Sequence, residues 1–162
     1  MANTDPFHEA KESLATVRRE FTTCNSINAA TTFAVVHACE TAVRELYGVA
    51  VGSPFPHEDF RPNHVPESLA TRLGIISFYS QESRSFLSRL TGFALQDVRY
   101  EGTRAFQQHT AKESAGRGRE LLDGATHLID ETEKLADDAG AVQAIRASAS
   151  ALRRESNDTS TG

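Results

Sequence analysis

The chain has two cysteines, Cys24 and Cys39, with no C-x-x-C pair between them. Fifteen residues apart, one of them inside an apolar segment, they read as reduced core thiols of a cytoplasmic protein rather than a disulfide framework. No run of about 18 apolar residues occurs, so no segment reads as a membrane span. The opening Met1-Ala2-Asn3-Thr4-Asp5-Pro6 lacks the basic-then-apolar layout of a signal peptide. Strictly alternating β-branched runs are scarce, which removes the signature of strands. A Gly-rich phosphate loop, a G-x-S-x-G elbow and an H-E-x-x-H pair are all missing, so P-loop nucleotide hydrolysis, α/β-hydrolase chemistry and zincin chemistry have no support.

What is present favours helices. A chain of 162 residues is most simply one domain with a real core, and Leu, Ala and Glu, which are abundant, are good helix formers. The formal charge of −5 argues against coating nucleic acid through bulk electrostatics, yet leaves room for a local basic site.

Asp5-Pro6 has the order of an N-cap and a first-turn proline and predicts a helix to about Thr23, with Phe7, Leu14, Val17 and Phe21 inward. Asn25 or Ser26 predicts the start of a second helix, stopped at Gly48. From Phe33 to Val43 this helix is apolar almost all round, which predicts a central, buried position. Residues 48–65 read as a Pro-, Gly- and His-bearing loop. A short helix from Pro66 to Gly74 follows, then a helix over Ser77–Val98 with Phe78, Phe86, Leu90 and Phe93 on one stripe. Thr110-Ala-Lys-Glu113 fits a capping box and opens a long helix to about Ala136. Gly116, Gly118 and Gly124 weaken that helix intrinsically and suggest close approach of a neighbouring backbone. Val142, Ile145, Ala149 and Leu152 mark a final amphipathic helix, with a disordered tail over 156–162. The expected architecture is all-α: one domain over 5–155, an up-and-down antiparallel bundle of four to five core helices plus a C-terminal helix.

The segment Arg99-Tyr100-Glu101-Gly102-Thr103-Arg104-Ala105-Phe106-Gln107-Gln108-His109 carries most of the chemistry. Arginine clamps phosphate bidentately and histidine moves a proton near neutral pH. Cleavage of a phosphodiester without metal needs a base near the ribose 2′-hydroxyl and a cation on the phosphate, roles open to His109 and Arg104. On a continuous helix the five-residue separation would set them about 140° apart. They converge only across a break in the helix, which Gly102 and the Thr110 cap permit, or across a dimer. The alternative is a surface arginine and a residue before a cap, which is the commoner outcome for such types.

Between Arg99 and Arg119 five basic residues (Arg99, Arg104, Lys112, Arg117, Arg119) face two acidic ones (Glu101, Glu113). Between Glu120 and Asp138 seven acidic residues face only Lys134. This order opposes the helix macrodipole, and a two-fold antiparallel dimer would align the basic half of one helix with the acidic half of its mate. On the central helix His37, Glu40 and Arg44 form a second group, expected as a satisfied buried network or a ligand site. His57, Glu58, Asp59 and His64 match no zinc spacing. No metal and no cofactor is expected.

The order of these features resembles the HEPN family of helical bundle domains. The resemblance rests on Phe33-Ala34-Val35-Val36-His37-Ala38-Cys39-Glu40, on Glu45-Leu46-Tyr47-Gly48, on Ser68-Leu69-Ala70-Thr71-Arg72-Leu73 and on Val98-Arg99-Tyr100 ahead of the long helix, covering roughly residues 8–136. One branch of that family comprises metal-independent ribonucleases, often toxins, marked by Arg, four to six residues, then His; Arg104 and His109 meet that spacing, with Ala105 where Asn, Asp or His is usual. The other branch carries an Arg-Tyr-Pro turn and binds nucleotides or partners; Arg99-Tyr100 fits, with Glu101 in place of proline. The resemblance implies a cytoplasmic, homodimeric module that binds a nucleotide, an RNA or a protein partner (a nucleotidyltransferase-type protein or an antitoxin). Its anion site would comprise Arg99, Tyr100, Lys112, Arg117 and Arg119. The alternatives are an endoribonuclease using Arg104 and His109, and a structural helical adaptor without ligand.

Overall fold

The computed structural model describes residues 5–24, 29–52, 66–93 and 111–160, without the side chains of residues 24, 29, 68, 72, 92, 93, 111–115 and 152–160. Six α-helices are found among the described residues: α1 (His8–Cys24), α2 (Ala29–Val51), α3 (Pro66–Arg72), α4 (Gln81–Phe93), α5 (Ala111–Asp137) and α6 (Ala139–Ser160). A single 3-10 turn, Ile76–Phe78, separates α3 from α4. The fold is an all-α helical bundle, and no described helix is long and apolar enough to cross a membrane.

Local chemistry sets the helix ends. The Phe7 N–H donates to Asp5 Oδ1 at 2.9 Å, which satisfies one of the orphan amides of the first turn. α3 ends in a Schellman motif: Ile75 N–H reaches Ala70 O at 3.0 Å and Gly74 N–H reaches Thr71 O at 3.1 Å, with Gly74 at φ 72°. Asp138 Oδ1 accepts from the N–H groups of Gly140 (2.9 Å) and Ala141 (3.3 Å) and so starts α6 one residue after α5 stops.

Side-chain contacts reveal the helix directions. Along α1 and α5, Lys11 meets Glu133, Arg18 meets Thr126 and Phe21 lies against Gly118. Numbers rise on one helix as they fall on the other, so the pair is antiparallel. α4 and α5 repeat this: Ser80 meets Glu131, Phe86 packs on Gly124, and Arg89 meets Glu120. α1 and α2 pack against each other with only four residues between Cys24 and Ala29, which sets them antiparallel. α2 packs against α1, α3, α5 and α6. It occupies the centre, as its apolar sequence predicts, with Val35, Ala38, Cys39, Ala42, Val43 and Leu46 fully buried.

The structure departs from the sequence expectations at several ends. Gly48 lies inside α2, and the stop is Gly52 at φ 78°, while Arg146 Nε donates to Ala50 O at 2.8 Å. An arginine 96 residues on in the sequence, bonded to a terminal carbonyl, thus carries α2 one turn further. α4 starts at Gln81 rather than Ser77 because Ser80 caps it, its Oγ accepting from the Ser83 N–H at 3.2 Å. Phe78 therefore sits in the 3-10 turn, off the α4 stripe of Phe86, Leu87 and Leu90. α6 continues to Ser160, past the expected end at Glu155. No glycine or proline interrupts the chain between Gly140 and Gly162, and Arg153, Arg154 and Glu155 are good helix formers. Phe33, expected within the buried span of α2, is 48% exposed.

Candidate functional site

The antiparallel register gathers one sign of charge at one end of the bundle. The C-terminal half of α1, the C-terminal half of α4 and the first turns of α5 lie at the same level, because Phe21 faces Gly118 and Arg89 faces Glu120. Arg18, Arg19, Arg89, Arg117 and Arg119 meet there, against Glu20, Glu120 and Asp123. The N-terminal amides of α5 add positive potential at this end.

These arginines are held to different degrees. Arg18 Nη2 donates to Thr126 Oγ1 at 2.6 Å and to Leu122 O at 3.4 Å, which fixes its stem across α5. Arg19 Nη2 donates to Thr16 Oγ1 at 3.2 Å. Arg89 Nη1 lies 3.1 Å from Glu120 Oε1 in an exposed pair. Such pairs contribute about 0–1 kcal/mol, so a phosphate can displace the carboxylate at small cost. Arg117 is half-buried, and Arg119 is exposed without a hydrogen bond or ion pair among the described residues. Guanidinium groups of this kind present forked donors to a phosphate.

Of the anion site expected from sequence, Arg117 and Arg119 are placed at this end and Lys112 falls on the first turn of α5, its side chain outside the description. Arg99, Tyr100, Arg104 and His109 lie outside the described residues, as do Thr110 and residues His57 to His64. Arg18, Arg19 and Arg89 are missed by sequence reading. Arg18 and Arg19 lie some 80 residues before the 99–119 segment and Arg89 on the helix that precedes it, and the antiparallel register brings them level with Arg117 and Arg119.

The opposite end is acidic and internally employed. Glu131 on α5 accepts hydrogen bonds from the Ser80 N–H (2.6 Å), the Ser80 hydroxyl (2.9 Å) and the Ser83 hydroxyl. Burial pushes its carboxyl up, but these donors and the nearby His127 outweigh burial and hold it below the ordinary value of 4.5. His127 Nε2 lies 3.6 Å from Glu82 and 3.7 Å from Glu131. Serine, histidine and glutamate thus lie together without forming a nucleophilic triad, because the hydroxyls donate to the carboxylate and not to the imidazole. Lys11 Nζ bridges Asp5 (2.8 Å) and Glu133 (3.1 Å).

On α2, Glu40 is 3% exposed and pairs with Arg44 Nη2 at 2.7 Å. His37 takes no part in that pair. It is exposed, with its ring nearly parallel to that of Phe33. Among the described residues the expected three-residue network is thus the Glu40–Arg44 pair and, apart from it, the Phe33–His37 ring pair. Spacings of three and seven residues keep all three side chains on one face, and it is the exposed ring contact with Phe33, not helical position, that sets His37 apart. Burial pushes the Cys39 thiol up to about 12 and raises the Tyr79 phenol, whose hydroxyl meets Thr132 Oγ1 at 2.9 Å. Neither is a nucleophile at neutral pH. Among the described residues no group of three or more His, Cys, Asp and Glu side chains is placed to hold a metal ion.

Comparison with known proteins finds no matching family model, no similar curated protein and no similar solved structure.

Proposed function

We propose that this chain is a HEPN-like cytoplasmic binding module that takes a phosphate-bearing ligand, a nucleotide or an RNA strand, at the arginine-rich end of its bundle. One observation carries the reading: three helices contribute Arg89, Arg117 and Arg119, with Arg18 and Arg19 just below them, to one side of the bundle's length in a chain whose formal charge is −5. A net acidic protein that concentrates arginine at one end fits local recognition of an anion rather than bulk attraction. α5 is entered at that end, at Ala111, and the segment bearing Arg99, Tyr100, Arg104 and His109 precedes it in the sequence. That entry point is also what favours the second reading, a metal-independent endoribonuclease using Arg104 and His109. A homodimer, or a nucleotidyltransferase-type or antitoxin partner, is compatible with either.

Fluorescence anisotropy with a labelled single-stranded RNA tests the reading. The wild type should bind, and Arg119→Glu should weaken binding severalfold, since one contact is lost and one repulsion gained. Equal binding by Asp130→Lys and wild type is expected, because Asp130 lies toward the acidic end. If Arg119→Glu binds as well as wild type, the ligand does not sit at this end. Incubation of the same RNA in EDTA separates the two readings: intact RNA supports binding alone. Cleavage lost in both Arg104→Ala and His109→Ala supports the ribonuclease.

A further inference from the structure

The arginine-rich end carries one feature that anion binding does not explain. Phe33, on the otherwise buried central helix, is 48% exposed. The His37 ring one turn further on lies within 6° of parallel to it, with ring centroids 6.3 Å apart. A single exposed phenylalanine is ordinary. A parallel aromatic–imidazole pair at the same end of the bundle as a group of arginines has more specific chemistry.

Its level along the bundle follows from the register. α1 ends at Cys24 and α2 begins at Ala29, and counting back from these joined ends brings Phe33 to about the level of Phe21, which packs on Gly118. Phe33 is therefore within about one helical turn, in height, of Arg117 and Arg119. Flat apolar rings and imidazoles stack on unpaired nucleobases, and every base has a π-face to offer. At the same level as Arg117 and Arg119, such a pair suits a strand that runs across this end with its phosphates on the arginines and a base on the rings.

We propose that Phe33 and His37 form a stacking platform for one unpaired base of a single-stranded nucleic acid whose phosphates are held by Arg117 and Arg119; this rests on the anion-binding reading above. A second copy of the chain is the other occupant to weigh. The exposed large apolar side chains among the described residues are Phe33 and Val49. They stand 16 residues apart on one helix, about 24 Å along its axis. A patch one ring wide falls far short of the roughly 800 Å² per partner of a stable protein interface. It matches the size of a base.

The test compares two labelled strands of equal length with the full chain: an oligouridine and its abasic ribose-phosphate counterpart. Wild type should bind the oligouridine about tenfold more tightly than the abasic strand. Phe33→Ala should remove that preference and leave abasic binding unchanged. Phe33→Leu, which keeps apolar volume but has no π-face, should behave like Phe33→Ala, whereas Phe33→Trp should retain the preference. Equal wild-type binding of both strands overturns the platform and leaves the arginine reading standing, while failure to bind either overturns both. Restoration by Phe33→Leu, or a change of molecular mass in Phe33→Ala by light scattering, identifies a packing or self-association role and overturns the platform.

Discussion

Glu131 caps a helix that is not its own. From α5 its Oε1 accepts the Ser80 N–H at 2.6 Å and its Oε2 accepts the Ser80 hydroxyl at 2.9 Å, at the first turn of α4. This contact accounts for the charge order of α5, whose acids cluster at the C-terminal half against the sense of its own macrodipole. The antiparallel neighbours α1 and α4 start there, and their N-terminal amides favour negative charge. Glu133 meets the same end of α1 through an ion pair with the Lys11 side chain. The order has an intrachain cause, and the antiparallel dimer first suggested by it is not needed to explain it.

Replacing Glu131 by Ala should therefore cost about 2 kcal/mol, since it removes a charged acceptor from three donors. Urea denaturation monitored by circular dichroism would show a lower midpoint with an unchanged slope. An unchanged midpoint would mean that Ser80 caps α4 unaided.

The same carboxylate makes a pH prediction. Its folded value lies below the ordinary 4.5, so its contribution is present above that pH and is lost as pH falls through the folded value. The stability difference between wild type and Glu131→Gln should be largest near neutrality and shrink as pH drops below about 4.5. A difference that grows in acid would reverse the sign of the argument.

Glu45 behaves oppositely. Burial and the charge of Glu9 raise its carboxyl above the ordinary value, so at neutral pH its ionised form opposes folding. Glu45→Gln should leave stability equal or improve it, by up to about 0.5 kcal/mol at this half-exposed position. Thermal melts at pH 7 would show a small upward shift, and a large loss would reveal a favourable role for the charge.

Three glycines on one helix give an internally controlled series. A Cβ at Gly124 would overlap the Phe86 ring, and one at Gly118 would overlap the ring of Phe21; at Gly116 nothing lies within 4 Å. Alanine is the better helix former by about 1 kcal/mol, so Gly116→Ala should stabilise. Gly124→Ala should destabilise by about 1–3 kcal/mol, because buried Phe86 has nowhere to go. Gly118→Ala should cost less, since Phe21 is only half-buried and its outer ring atoms make the contact. Ranking the three melting temperatures checks this.

The fold was legible where pattern and packing agree. The helix count through α3, the central place of α2 and the Gly74 stop follow from apolar spacing and turn chemistry. The glycines of α5 were read as allowing a backbone to approach, whereas aromatic rings from α1 and α4 fill their place. The end of α2 was misread because its final carbonyls are met by Arg146, 96 residues away. Three of the five arginines at the basic end are hidden for a similar reason: Arg18, Arg19 and Arg89 join Arg117 and Arg119 only through helix direction. Arg99, Tyr100, Arg104 and His109, the residues that weighed most in the sequence, lie outside the described residues.

The salt dependence of binding tests the central claim most directly. Affinity for a labelled single-stranded RNA should be measured across a range of salt for wild type, Arg117→Ala and Arg119→Ala. Each phosphate contact to a single strand contributes about 0.7 to the slope of log affinity against log salt. The wild type should show a slope of several contacts, and each variant should lose about 0.7 of it. Absence of binding, or slopes that neither variant changes, would contradict an anion-binding role for this end of the bundle.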